Sequence, residues 1–395
     1  MGSAVNADRT AAECYSCRQW VAGRRVTADE RYSHVMFGLS DLVEWSSFRP
    51  FHTHTDFSSG IGAVTIQTES PIVHSAATVR GLVEFITRAT VSATPHLASI
   101  GSHSCVRITP SEPVTLIDAL RLYCRPLQDL VTIGTGRPQE VLDLRLLPAR
   151  YEILDPNASD NTWCEVHFSR WTGAPASSKG PVRHEMLFTL PDLVPNLTER
   201  LNKWFDLDEN VHEVRTLATG IIYRRGMFAD QRFIYAAHAA ETYHRRRLGG
   251  LERDPDEHRQ MMAAIVGAVP DEYRSWLKDK LAFANEVCFI ARLEQLRDVS
   301  CEVVRSHLGR IPDWEKWIRD TRNYHTHYTS RPGRRSRVAR GPHMLALTES
   351  LLLLIEDRLL SELGLSDMAR NTLIIKTRRA RRLFHWASEL QWNAS

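Results

Sequence analysis

From Tyr32 to Phe188 the apolar residues come in short bursts separated by Gly, Pro, Ser and Thr, as in Ala63-Val64-Thr65-Ile66 and Cys105-Val106-Arg107-Ile108-Thr109. Bursts of that length bounded by turn formers predict strands. One segment breaks the rhythm. Between Leu116 and Thr132, the residues Leu116, Leu120, Tyr123, Leu127 and Leu130 recur every three to four positions and Gly134 follows as a stop, which predicts a helix packed on the sheet. Asp155 to Ser159 and Gly173 to Pro181 read as surface loops. A second helix is predicted from Pro191 to Phe205, and a connecting stretch from Asp206 to Gly226. Beyond Met227 the period is helical almost throughout: Phe228 to Arg247, His258 to Ala268, Asp271 to Val299, Trp314 to His327, Met344 to Leu363 and Ser366 to Leu390. The pattern predicts an α+β chain, with a strand-rich N-terminal domain over residues 1–217 and an all-α bundle over residues 218–395.

Length agrees with that division, since 395 residues exceed one ordinary core. With 43% hydrophobic and 25% charged residues, the composition excludes a disordered or rod-like chain. The net charge of +3 is too small to make the whole surface basic, but arginine crowds the last third and creates a local cationic region. Seven cysteines at irregular spacing give no disulfide framework and fit a reducing, cytoplasmic setting. The greasiest run, Leu351 to Ile355, is hemmed in by Glu349, Glu356, Asp357 and Arg358, and the N-terminus lacks a signal-peptide pattern, so neither membrane spanning nor secretion is expected.

Several small motifs lead nowhere decisive. Cys14-x-x-Cys17 has half the spacing of a zinc site, but no second Cys-x-x-Cys follows, and completing it requires His52 and His54 or a lone thiol such as Cys105. His52-Thr53-His54-Thr55-Asp56 reads as a polar loop. Gly60-Ile61-Gly62 and Gly134-Thr135-Gly136 lack the rest of any nucleotide fingerprint and read as turns, and no cofactor is expected. Trp204 with Phe205, and Trp276 with Phe283, read as core aromatics.

The chemistry concentrates in Trp314-Glu315-Lys316-Trp317-Ile318-Arg319-Asp320-Thr321-Arg322-Asn323-Tyr324-His325-Thr326-His327-Tyr328. On a helix, Asn323 and His327 lie one turn apart on one face with Arg322 beside them, while Trp314, Trp317 and Ile318 anchor the segment. An imidazole that titrates near neutrality and a guanidinium that clamps a phosphate together suit RNA cleavage by the substrate's own 2′-hydroxyl, a reaction that requires no metal. The same residues also fit an ordinary helix end, where basic side chains favour the dipole. Downstream, Arg331, Arg334, Arg335, Arg337 and Arg340 lie in a loop punctuated by Pro332, Gly333, Gly341 and Pro342, readable as an RNA backbone clamp or as a solvated connection. Lys376, Arg378, Arg379, Arg381 and Arg382 form a second basic strip on the final helix, facing either RNA or solvent.

The Arg322-Asn323-x-x-x-His327 motif, between a long helical hairpin and a final helix pair, resembles the ribonuclease motif of HEPN domains. Phe233 to His244, ending Ala240-Glu241-Thr242-Tyr243-His244, and Phe283-Ala284-Asn285-Glu286 followed by Arg292-Leu293-Glu294-Gln295-Leu296 are similar to the HEPN domain of ApeA-like proteins. Phe37-Gly38-Leu39-Ser40-Asp41-Leu42-Val43-Glu44-Trp45, Pro113 to Pro138 and Leu201 to Phe205 are similar to landmarks of the domain that precedes it in that family. The resemblance spans about Ser33 to Leu390, with an N-terminus shorter than the family's usual opening sheet. It implies an anti-phage protein of the abortive-infection type: a metal-independent endoribonuclease, held silent until a phage-encoded trigger appears, that cleaves host RNA with tRNA a favoured target. It also implies a homodimer paired through the HEPN domain. Arg322, Asn323 and His327 take the catalytic positions. Glu241 matches an acidic residue near the site that orients Arg322 or forms a helix-pair salt bridge, and Arg319 and Tyr328 support. A looser spacing, Arg319 to His325, is the competing motif. The leading alternative is a non-catalytic RNA-binding or dimerisation protein that uses the bundle as an interaction module.

Overall fold

The structure, a computed structural model, describes residues 2–5, 12–15, 19–22, 26–27, 29–56, 63–94, 96–150, 163–168, 180–224, 226–327 and 337–392. The chain forms two compact units, residues 1–206 and 207–395. An antiparallel sheet organises the first unit and helices make up the second, so the chain is α+β.

In the first unit the strands are β1 (Gly2–Val5), β2 (Ala12–Tyr15), β3 (Gln19–Ala22), β4 (Tyr32–Leu39), β5 (Phe51–Asp56), β6 (Ala63–Thr68), β7 (Ile72–Thr78), β8 (Gly81–Thr94), β9 (Leu97–Pro110), β10 (Val141–Pro148) and β11 (Cys164–Phe168). Seven of them join in the order β3-β11-β10-β4-β9-β8-β7, while β1 with β2 and β5 with β6 form two-stranded sheets. The polar stretch His52 to Asp56 is therefore strand, not loop: it pairs residue for residue with β6 and exposes its side chains, which is why no apolar alternation marks it. Alternation on the large sheet is clean, with Val35, Phe37, Val83, Phe85, Val106, Ile108, Leu144 and Leu146 buried on one face.

Helix α1 (Leu42–Ser46) and the helical run α2 (Leu116–Ala119), a π-helical turn (Leu120–Cys124) and α3 (Arg125–Thr135) belong to the same core. Thr115 caps the run by accepting from Asp118 N. Its stop is Gly136, at φ 67°, rather than Gly134. Gly134 serves close approach instead, since a Cβ there would stand 2.5 Å from Trp45 Nε1. The predicted helix from Pro191 is interrupted by left-handed Asn196 (φ 73°), giving α4 (Leu190–Leu193) and α5 (Leu197–Asn210). Trp204 and Phe205 are buried as expected, and Trp204 Nε1 donates to Pro126 O at 2.9 Å.

The second unit contains α6 (His212–Tyr223), where the sequence suggests a mere connection, then α7 (Ala229–Arg247), α8 (Pro255–Gly267), α9 (Asp271–Lys280), α10 (Phe289–Asp298), α11 (Glu302–Leu308), α12 (Trp314–His327), α13 (Gly341–Glu362), α14 (Asp367–Ile375) and α15 (Arg378–Glu389). Two long predicted helices are broken. Asp271 to Val299 divides into α9 and α10, and Ser366 to Leu390 divides where Thr377 accepts from Ala380 N and starts a new helix. Helix α13 is buried on nearly every face, which explains the apolar run at Leu351, and α7 packs against it through Phe233, Ala236, Ala237 and Ala240. Buried carboxylates on α13 are neutralised by arginine: Asp357 by Arg358 and Arg370, Glu349 and Glu356 by Arg379. The second basic strip is thus divided, with Arg379 spent on internal ion pairs while Arg378, Arg381 and Arg382 are exposed. Trp276 and Phe283 are not core residues; they are 60% and 76% exposed on and just after α9. Among the described residues no helix is long and apolar enough to cross a membrane.

Candidate active site

Helix α12 is fixed by a stripe of buried side chains at Trp314, Trp317, Ile318 and Thr321, spaced three, one and three apart. Trp314 also donates through Nε1 to Ser350 Oγ of α13 at 2.7 Å. The remaining faces carry the polar residues of the motif. Asp320 and Thr321 stitch the returning chain alongside: Arg337 N donates to Asp320 Oδ2 at 2.9 Å and Ala339 N to Thr321 Oγ1 at 2.9 Å.

Arg322 leans away from that returning chain toward α7 and α10. Its Nη2 lies 3.3 Å from Glu241 Oε2, and its guanidinium carbon lies 5.3 Å from the centre of the Phe289 ring. Glu241 has a second partner one turn along α7, where Arg245 Nη2 approaches its Oε1 at 3.4 Å. Arg245 is bonded more closely to Glu286 Oε2, at 2.7 Å, and the same oxygen receives Arg292 Nη2 of α10 at 3.2 Å. Arg292 is almost fully buried and also donates through Nε to Val287 O at 2.7 Å. Three guanidiniums thus share two carboxylates, leaving one positive charge over. Two donors in the chain of pairs, Arg322 Nε and Arg292 Nη1, are buried with no hydrogen-bond partner among the described residues. A cationic excess carried by the partly exposed guanidiniums of Arg322 and Arg245 favours an anion, above all one with several acceptor oxygens such as phosphate.

The other motif residues are distributed as follows. Asn323 is exposed, and its Oδ1 accepts from Arg322 Nη1 at 3.4 Å. His327 is the last residue of α12, and its side chain, like Tyr328, Arg331, Arg334 and Arg335, lies outside the described residues. Arg319, the start of the competing motif, is engaged by its neighbour Asp320, with Nε to Oδ1 at 2.7 Å. His325, the end of that motif, stands edge-on to Tyr324, and burial lowers its basicity. Arg337 is committed to Asp313 Oδ2 at 2.8 Å, and Arg340 stands 5.9 Å from the Tyr324 ring, so neither joins the Arg322 cluster. Cys14 lies on β2 and Cys17 lies outside the described residues; of the further partners, His52 is taken by Glu69 at 2.9 Å. Among the described residues no three His, Cys, Asp or Glu side chains stand close enough to share a metal ion.

Next to the cluster, His244 is fully buried on α7 with Nε2 2.6 Å from Gln295 Oε1, and burial together with Arg292 and Arg245 lowers its pKa. Residues Arg245, Glu286, Phe289 and Arg292 are not among those singled out by the sequence motif. The spacing of Glu241 and Arg245 at i and i+4 on a helical segment is a local signal for Arg245, and Glu286 and Arg292 stand in the segments that resemble the family.

Family models match most of the chain. The ApeA N-terminal domain 1 matches residues 6–204 and the Apea-like HEPN matches residues 234–368, a span that contains Glu241, Arg245, Glu286, Phe289, Arg292, Arg322 and His327. Comparison with curated proteins and with solved structures gives no significant match. A first model that covers half the chain, joined in the expected order to a second that holds the arginine cluster, shows that the protein belongs to the ApeA-like family, with an ApeA N-terminal domain followed by an Apea-like HEPN domain.

Proposed function

We propose that this protein is an anti-phage defence effector whose HEPN domain cleaves RNA, with tRNA the favoured class, by transesterification and without a metal. The observation that carries the reading is Arg322: inside the HEPN match, it is held by a carboxylate from a different helix and surrounded by a cationic excess, five residues before His327. In this reaction His327 takes the proton of the substrate 2′-hydroxyl or supplies one to the departing 5′-oxygen, and Arg322 stabilises the charge that grows on the pentacoordinate phosphate. Asn323 offers a polar contact beside it. The attacking oxygen belongs to the RNA itself, so the chemistry needs no activated water.

One protomer supplies one Arg/His set. Two-fold pairing through the HEPN domain brings two sets to one cleft, which is the form we assign to the working enzyme. The N-terminal domain senses a phage-encoded trigger or restrains the nuclease, and the protein works in the bacterial cytoplasm. The cationic loop, with Arg331, Arg334, Arg335 and Arg340, tracks the RNA backbone.

The test is cleavage of RNA by the full chain in EDTA, with analysis of the new ends. The proposal expects a 2′,3′-cyclic phosphate and a 5′-hydroxyl, and a rate lowered by about 10² to 10⁴ in His327→Ala and comparably in Arg322→Ala. Wild-type protein that binds RNA yet leaves it intact after triggering returns the protein to the interaction-module reading.

A further inference from the structure

Two guanidiniums, Arg322 and Arg245, occupy the two oxygens of the single carboxylate Glu241, from α12 and from α7 respectively. Both contacts are long, 3.3 and 3.4 Å, and both arginine side chains retain access to solvent, 26% and 48%. Two guanidiniums set side by side on one carboxylate still repel, and a second anion beside them would relieve that repulsion. Arg245 is not left to that weak contact, because Glu286 holds it at 2.7 Å. Glu286 is itself fixed, since buried Arg292 binds the same carboxylate oxygen and ties down the neighbouring Val287 carbonyl. The backbone around it is clipped to the segment that follows α7 by Val287 N to Gly250 O and Glu252 N to Asn285 O, both 2.9 Å.

An arginine aimed this firmly, half-exposed, next to the phosphate-clamping arginine, is suited to a second phosphate. Resting on the ribonuclease reading above, we propose that Arg245 binds the RNA phosphate adjacent to the scissile one and that Glu286 is the positioning residue that aims it. Arg322 and Arg245 then read two successive phosphates of one strand, which fixes the register of the RNA so that the 2′-hydroxyl between them faces the reacting phosphorus. The cationic excess of the cluster is consistent with this, because a bound phosphate would neutralise it.

The test is a coupling measurement. Single-stranded RNA made uncleavable by 2′-O-methyl groups is given one neutral methylphosphonate, walked position by position, and its affinity for the full-length wild type, Arg245→Ala and Arg322→Ala proteins is read by fluorescence anisotropy. Arg245→Ala should weaken wild-type RNA by about ten-fold and flatten the dependence of log K on log salt by about 0.7, the share of one phosphate on a single strand. At one position the methylphosphonate should cost wild type the same factor and cost Arg245→Ala nothing further, and that position should be next to the one coupled to Arg322. Arg245→Lys retains a charge and should keep the salt slope. It also serves if the alanine variant fails to fold. Glu286→Gln should keep affinity within a few-fold while lowering kcat on cleavable RNA, and Glu286→Asp should restore part of it. Losses that add at every position, or coupling at a distant phosphate, overturn the assignment of Arg245 while leaving the nuclease reading intact. RNA that does not bind the wild type overturns both.

Discussion

Replacing Glu241 with glutamine keeps the shape of the side chain and removes its charge, and the geometry predicts that binding and turnover then move in opposite directions. Glu241 meets Arg322 at 3.3 Å with side chains 18% and 26% exposed, a half-buried pair between the limits of about 1 kcal/mol in water and about 4 kcal/mol near a protein surface. Set against desolvation, a net contribution of about 1 kcal/mol to stability is expected, lowering Tm by about 2 to 4 °C for a domain of this size. The cluster should not collapse, because Arg245 keeps its 2.7 Å bond to Glu286. For RNA, removal of one negative charge beside the phosphate is worth about 1 kcal/mol, or about five-fold tighter binding at low salt, shrinking as salt is raised. Turnover should fall by about 10- to 100-fold, since Arg322 then keeps the Phe289 ring, Asn323 and a neutral amide oxygen in place of the ion pair and samples orientations that do not meet the transition state. The assay is single-turnover cleavage to obtain the rate and anisotropy with uncleavable RNA to obtain affinity, at two salt concentrations. Loss of both affinity and rate, or no change in either, would refute the view that Glu241 aims Arg322 and competes with RNA for it.

Two further outcomes concern stability. His244 has its folded pKa lowered below 6.5, first by burial and then by Arg292 and Arg245, with Gln295 opposing. The unfolded chain therefore takes up a proton, just below pH 6.5, that the folded protein refuses, so stability is full above that pH and falls as pH falls; the decline of Tm between pH 7.5 and 5.5 should be shallower in His244→Gln, and an unchanged slope would contradict this. Gly134→Ala would set a methyl group 2.5 Å from Trp45 Nε1 and 3.0 Å from Phe188 O, costing about 1 to 3 kcal/mol. Thermal unfolding should show a loss of several degrees, and an unaltered Tm would mean the helix and Trp45 are less closely packed than described.

Helix α12 was legible to the residue because its buried stripe of Trp314, Trp317 and Ile318 has no competing pattern, and α7 was legible through Phe233 and its alanine face. The break between α9 and α10 was not, since apolar residues such as Leu277, Leu281 and Phe283 continue the helical period across it. Periodicity also does not say which face finds a partner, and so Trp276 and Phe283 read as core although both are exposed. Gly134 reads as a stop in the sequence because sequence cannot distinguish a glycine needed for φ from one needed for space. In the candidate site, Arg322 and Glu241 were found through a motif and a family resemblance. Glu286 and Arg292 were legible only as family landmarks, and Arg245 not at all as a site residue, because the Arg245–Glu286 pair joins positions 41 apart, a relation that local pattern does not carry.

On the proposed mechanism the RNA supplies its own nucleophile to a phosphate held at Arg322. The most direct test places a single 2′-deoxy nucleotide at the scissile position of an otherwise unmodified RNA and compares it with the all-ribose strand under identical triggering, in EDTA. Both strands should bind alike, the all-ribose strand should be cut to a 2′,3′-cyclic phosphate and a 5′-hydroxyl, and the substituted strand should stay whole at that position. Cleavage of the 2′-deoxy position at a comparable rate would contradict that mechanism.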